Sequence, residues 1–160
     1  MSTQGRPRTS TSRASVRTNA TAHQAFVVLA DLAGYSDWLP KSLAYRATSA
    51  RTGTRSAQDY VDHTGFGSLT GTVTERVPDR RISFLQSTSR RHLTIAITYD
   101  VVATDDGSLI ERTGTITTCG VLRWLHPIVM APIRQENTRT MTRLRTHLNE
   151  LARTTRKDSP

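Results

Sequence analysis

Asp31-Leu32-Ala33-Gly34-Tyr35-Ser36-Asp37-Trp38-Leu39-Pro40 closes an amphipathic helix with a tight aromatic turn and hands the chain to a long β-rich region. Upstream, Thr21-Ala22-His23-Gln24 fits a capping box, in which the threonine hydroxyl takes a helix N-terminal amide and Gln24 reaches back to the cap. Phe26, Leu29, Ala30 and Ala33 then fall at i, i+3, i+4 and i+7, one apolar stripe. Gly34 is expected to end this helix, because glycine takes positive φ without steric cost.

Downstream, from Ser42 to Thr118, the text changes period. Short β-branched and aromatic runs are separated by Arg51-Thr52-Gly53, Gly65-Phe66-Gly67, Pro78-Asp79-Arg80 and Asp105-Asp106-Gly107, turn signals at hairpin spacing that predict an antiparallel meander. The clearest strand alternates strictly and puts Leu93, Ile95, Ile97, Tyr99 and Val101 on one face. A cover for that face is predicted over Pro132 to Arg153, where Ile133, Asn137, Met141, Leu144, Leu148 and Leu151 recur at three- and four-residue steps. Such a helix is about 30 Å long at ~1.5 Å per residue, with Pro127 and Pro132 at its approach. Helix, strands and final helix together predict an α+β domain: a sheet curled around a helix, with a cavity between them.

The 160 residues suit one domain, expected over 13–153. Residues 1–12 and 154–160 read as disordered tails, since Met1 to Ser12 offer nothing to bury. Net charge is +9, but Arg6, Arg8, Arg13 and Arg17 supply +4 and residues 153–160 a further +2, leaving +3 for the middle. Aromatic rings are not interleaved with these arginines, which argues against a dedicated nucleic-acid role. In an interaction module the basic ends would dock on an acidic carrier protein, nucleic acid or a membrane surface. A single cysteine, Cys119, excludes an intrachain disulfide, and no run approaches the ~20 apolar residues of a membrane span. A cytoplasmic protein is the expectation.

Four pieces in order carry a likeness: Asn19 to Phe26, Asp31 to Pro40, Val73 to Phe84, and Val121-Leu122-Arg123-Trp124-Leu125-His126-Pro127. With them the chain resembles the START-like (SRPBCC) superfamily, in particular its bacterial polyketide cyclase/dehydrase branch. The resemblance implies a helix-grip fold, with a seven-stranded antiparallel sheet around a long C-terminal helix and two short helices after the first strand. It also implies a cavity for an apolar or amphipathic small molecule and no cofactor. Members divide between cyclases, aromatases and dehydratases, which are lyase-type catalysts, and carriers of lipids or quinones, so fold alone does not decide the chemistry.

Candidate catalytic residues are Tyr35, Tyr99, His63 and His92. A phenol can polarise a carbonyl, and an imidazole near neutrality suits proton transfer from an activated methylene. The competing expectations are a core tyrosine bonded to a backbone acceptor and an idle, exposed histidine. Trp38 either lines one end of the cavity or locks the short helices to the sheet. Asn137, an amide on an apolar stripe, must bond a ligand or a neighbour. Tyr45, Tyr60, Phe66, Phe84, Ile97, Thr115, Ile133 and Met141 complete the expected lining. Asp59, Asp62, Asp100 and Glu111 show no metal-ligand spacing and are expected to face solvent, as strand carboxylates do.

Overall fold

The computed structural model describes residues 6–42, 46–50, 59–65 and 67–157. Seven strands run β1 (Arg8–Thr18), β2 (Ala47–Ala50), β3 (Asp59–Thr64), β4 (Gly67–Val77), β5 (Arg81–Ser87), β6 (Leu93–Thr104) and β7 (Gly107–Thr118). All neighbours are antiparallel, in the order β1-β7-β6-β5-β4-β3-β2. The meander is therefore broken once, where β1 returns to pair with β7. Between β1 and β2 lie α1 (Ala22–Ala30) and α2 (Tyr35–Trp38), and the chain ends in α3 (His126–Lys157). This is the expected helix-grip architecture.

The N-terminus of α1 is built as the sequence demands: Gln24 N donates to Thr21 Oγ1 at 3.2 Å and Thr21 N donates to Gln24 Oε1 at 3.0 Å. Its end differs from expectation. The α-helix stops at Ala30, and a 3-10 turn over Leu32–Gly34 buries Leu32 and leaves Ala33 exposed. Gly34 has an ordinary φ of −82°. A Cβ there would sit 2.6 Å from Oδ2 of exposed Asp31, a flexible carboxylate that can turn aside, so the turn does not depend on glycine.

Two boundaries also move outward. The first strand starts at Arg8, inside the stretch expected to be a disordered tail, because backbone pairing needs no apolar side chain: Arg8 registers with Thr118, and Thr9–Thr117 and Thr11–Thr115 hydroxyl pairs lie at 3.0 and 3.1 Å. Helix α3 spans 32 residues, about 48 Å, passing through both prolines and on to Lys157. Its buried stripe is Met141, Leu144, Leu148 and Ala152, whereas Leu151 turns outward at 37% exposure.

That stripe meets Phe26 and Leu29 of α1 and the inward faces of Ile82, Phe84, Tyr99, Val101 and Ile110 in one core. A bulge between Val73 and Glu75 interrupts the β4–β5 register and bends the sheet around the helix. Two polar ties fix the helix against the strands. Asn149 Oδ1 accepts from Thr18 Oγ1 at 2.8 Å and Asn19 N at 2.9 Å. At the other end His126 is buried, its Nδ1 2.8 Å from Thr118 Oγ1 and its Nε2 2.7 Å from Ser10 Oγ.

Candidate functional site

Between α3, α2 and the inner face of β3 to β7 lies a cavity of about 120 Å³. Its walls are mostly apolar, with Leu39, Leu69, Phe84, Ile95, Ile97 and Ile133 among the lining residues. Phe84 is the hub of its aromatic wall: the rings of Tyr35, Tyr60 and Tyr99 stand edge-on to it, with centroids 6.2, 6.0 and 6.3 Å away. Such edge-to-face contacts fix ring orientation as well as burying area.

Two polar groups face each other across these rings. The first lies on β3 and β5, where Gln86 Nε2 donates to Tyr60 Oη at 3.0 Å and to Asp62 Oδ2 at 2.5 Å, while Thr48 Oγ1 donates to Asp62 Oδ1 at 2.6 Å. Register explains the reach. Tyr60 pairs with Gly71, which pairs with Gln86, so one row crosses three strands with a gap at its centre. The Tyr60 ring fills that gap; a Cβ on Gly71 would lie 2.2 Å from Tyr60 Cζ. Gly71→Ala is accordingly expected to destabilise the fold by about 1 to 3 kcal/mol through overpacking and to dislodge the Tyr60–Gln86 bond. Urea titration with tyrosine fluorescence checks both, and an unchanged midpoint would contradict the packing.

The second group lies on β6, β7 and α3. Arg112 Nε donates to Tyr99 Oη at 3.2 Å, its Nη1 bonds Asn137 Oδ1, and its guanidinium carbon lies 5.7 Å from the Tyr99 ring centroid. No carboxylate among the described residues approaches Arg112 within ion-pair distance. Glu136 also lines the cavity, and its buried Oε1 has no hydrogen-bond partner among the described residues.

Electrostatics follow from this burial. Desolvation raises the Asp62 carboxyl above its ordinary value, partly offset by the bonds from Thr48 and Gln86. Burial first, then the Asp62 charge, holds the Tyr60 phenol far above its usual value, and burial does the same to Tyr35. Both stay protonated near neutrality. Tyr35 spends its proton on Leu29 O at 2.6 Å, whereas Tyr60 and Tyr99 each accept a fixed N–H and keep their own O–H for another acceptor.

The expected site residues are thus sorted. Tyr60, Phe84, Tyr99, Ile97, Ile133 and Asn137 line the cavity, as does the Tyr35 ring, although its hydroxyl is committed to the backbone. His63 is corrected: it is exposed on the opposite face of β3 from Asp62, 3.3 Å from Ser49 Oγ and 3.3 Å from Ser68 Oγ. His92 is likewise exposed, in the β5–β6 hairpin, and lends only its carbonyl to Cys119 N. Thr115 bonds Thr11 outside the lining, and Met141 packs in the core beside the cavity. Trp38 is buried in the core against Tyr35 of the same short helix, centroids 5.2 Å apart, and is not among the residues lining the cavity. Tyr45 and Phe66 lie outside the described residues. Asp62, Gln86, Arg112, Glu136 and Thr140 were not anticipated, and Asp62 faces inward where solvent exposure was expected.

The sequence matches the family described as polyketide cyclase / dehydrase and lipid transport over residues 9–149. The chain belongs to this family. The fold of this polyketide cyclase / dehydrase family member also recurs among solved structures. The aromatase/cyclase Zhui from Streptomyces sp. R1128 is 14% identical, with a TM-score of 0.70 over 89% of this chain and 94% of its own. Ara h 8.0201 is 13% identical, with a TM-score of 0.66 over 88% of this chain and 98% of its own. The di-domain ARO/CYC StfQ of the steffimycin biosynthetic pathway is 12% identical at a TM-score of 0.67; 90% of this chain is covered but only 52% of StfQ, about half its length. At these identities the likeness is one of fold. No functionally curated protein matches the chain in sequence. Among the described residues no helix is long and apolar enough to cross a membrane.

Proposed function

We propose that this family member binds an apolar or amphipathic small molecule in the cavity and acts on it as a cofactor-independent cyclase/dehydratase of the polyketide type. The observation that carries the reading is the convergence, in a mostly apolar cavity, of a carboxylate of raised pKa, two phenols with uncommitted O–H groups and an arginine that meets no carboxylate within ion-pair distance among the described residues. A carrier needs the apolar walls but none of these groups.

In the proposed ring closure Asp62 takes a proton from a methylene flanked by carbonyls, and its raised pKa makes it the stronger base for that step. The enolate carbon forms a bond to a second carbonyl carbon, whose oxygen gains charge beside Tyr99 and Arg112 and takes up a proton. That proton is the one Asp62 removed. Dehydration follows when the restored Asp62 carboxylate takes the remaining proton of the former methylene carbon, the double bond forms as hydroxide is expelled, and the hydroxide takes that proton from Asp62 to leave as water. Room for roughly one ring at about 120 Å³ confines the reacting end of the chain in a bent conformer, which lowers the entropic part of the barrier. The second reading, a non-catalytic carrier, is favoured by lipid transport in the family description.

Native mass spectrometry of freshly purified protein, followed by incubation with a linear polyketide mimic such as a short poly-β-ketone thioester, separates the two. Arg112→Leu is expected to slow product formation ~10²- to 10³-fold, the usual effect of removing a donor from a developing oxyanion. No product from the parent chain leaves the carrier reading alone, and equal turnover in the variant and the parent removes Arg112 from the chemistry.

A further inference from the structure

The segment joining β7 to α3 turns an apolar stripe toward solvent. Val121, Trp124, Leu125 and Ile128 succeed one another at three- and four-residue steps through linked helical turns, with Trp124 N bonded to Val121 O at 3.1 Å and Ile128 N to Leu125 O at 3.0 Å. Their exposures are 79%, 75%, 44% and 70%. A contiguous group of large apolar side chains left open in this way marks a contact surface. The segment is also anchored from behind, because buried His126 lies between the two exposed residues Leu125 and Ile128 and bonds both β1 and β7.

The surroundings are basic. Arg123 stacks over the Trp124 ring with its guanidinium carbon 4.9 Å from the centroid. The Cys119 N to His92 O bond of 2.8 Å brings up the β5–β6 hairpin with exposed Arg90 and Arg91, and β1 enters at the same end with Arg6 and Arg8, the latter opposite Thr118. Residues 6–30, 86–99 and 112–135, which supply these elements, contain no aspartate or glutamate.

We propose that this patch docks on an anionic lipid bilayer. Projecting Trp124, Val121 and Ile128 suit insertion into a fluid interfacial layer, where an indole pairs an apolar body with a polar N–H. The arginines around them attract anionic headgroups while their methylene stems cover apolar surface. The positive charge of the patch comes from Arg6 and Arg8 at the start of β1, from Arg90 and Arg91 of the β5–β6 hairpin and from Arg123, brought together by the fold around the apolar stripe. Docking sets one end of the cavity toward the bilayer, since cavity-lining Ile133 lies five residues beyond Ile128, about 7.5 Å along the helix axis. This goes beyond the proposed chemistry and does not depend on it.

The test is sedimentation of the full chain with vesicles of phosphatidylcholine alone or with about one-third phosphatidylglycerol, together with tryptophan emission. Binding to the anionic vesicles, a blue-shifted emission and weakening with added salt are expected. Trp124→Ser with Ile128→Ser is expected to lower binding at least ten-fold, and Arg90→Ala with Arg91→Ala about five-fold per arginine, with unaltered melting temperatures because all four side chains are exposed. No sedimentation with anionic vesicles at low salt would overturn the proposal. Undiminished binding by the Trp124/Ile128 variant would overturn it too. So would self-association that this variant abolishes without any vesicle binding, which would give the patch to a second copy of the chain.

Discussion

Asp62→Asn is expected to reduce product formation ~10²- to 10⁴-fold, the span of general acid–base catalysis, while leaving the protein as stable at neutral pH or more so. The two halves of the prediction share one cause. A carboxyl whose folded pKa lies above its ordinary value of 3.8 costs nothing below that value. The cost of ionising it grows as pH rises from there to the raised folded value and persists above it. The amide variant never ionises, so its melting temperature should gain on that of the parent across this window and hold the gain at pH 7. Its side chain can still accept a hydrogen bond from Gln86 or Thr48. Thermal melts at pH 3.5 and pH 7 alongside turnover check this: a variant that loses stability at pH 7 makes Asp62 a structural residue, and one that keeps full turnover removes it as the base.

The largest loss of stability is expected from Phe84→Ala. Phe84 is 3% exposed and supports three edge-on tyrosines, so the substitution removes a large transfer term and leaves a void that the rigid sheet cannot close. About 3 to 5 kcal/mol is expected, a drop of roughly 6 to 20 °C at 2–4 °C per kcal/mol for a domain of this size. Phe84→Leu, which keeps most of the volume, should lose far less. A Phe84→Ala chain with a urea midpoint near that of the parent would show that the aromatic wall is not the framework of the cavity.

The fold was legible because its signals are local. The Thr21–Gln24 cap, the alternation of β6 and the apolar stripe of α3 each follow from spacing along one element. The cavity was only half legible, because alternation says which residues share a strand face but not which rows meet across strands. Arg112 was within reach: the two-residue loop Asp105-Asp106 fixes the β6–β7 register and places Arg112 opposite Tyr99, a residue already assigned to the covered face. Asp62 was not, since its setting depends on Gln86 reaching across β4 over a glycine. The histidines were misplaced for the converse reason. Chemistry alone made His63 attractive, yet one residue of register puts it on the wrong face.

The small histidine junction beneath the exposed stripe limits how the interior can be entered. Widening the cavity by swinging the front of α3 away from the sheet would strip both imidazole nitrogens of their hydroxyls, at about 1 to 3 kcal/mol for each buried group left bare. Burial, and then Arg8, depress the pKa of this imidazole, so its junction carries no protonation cost at neutrality and is undermined only as pH falls below the ordinary 6.5. Displacing instead the four-residue α2 and Leu39, which line the same cavity, leaves this junction intact.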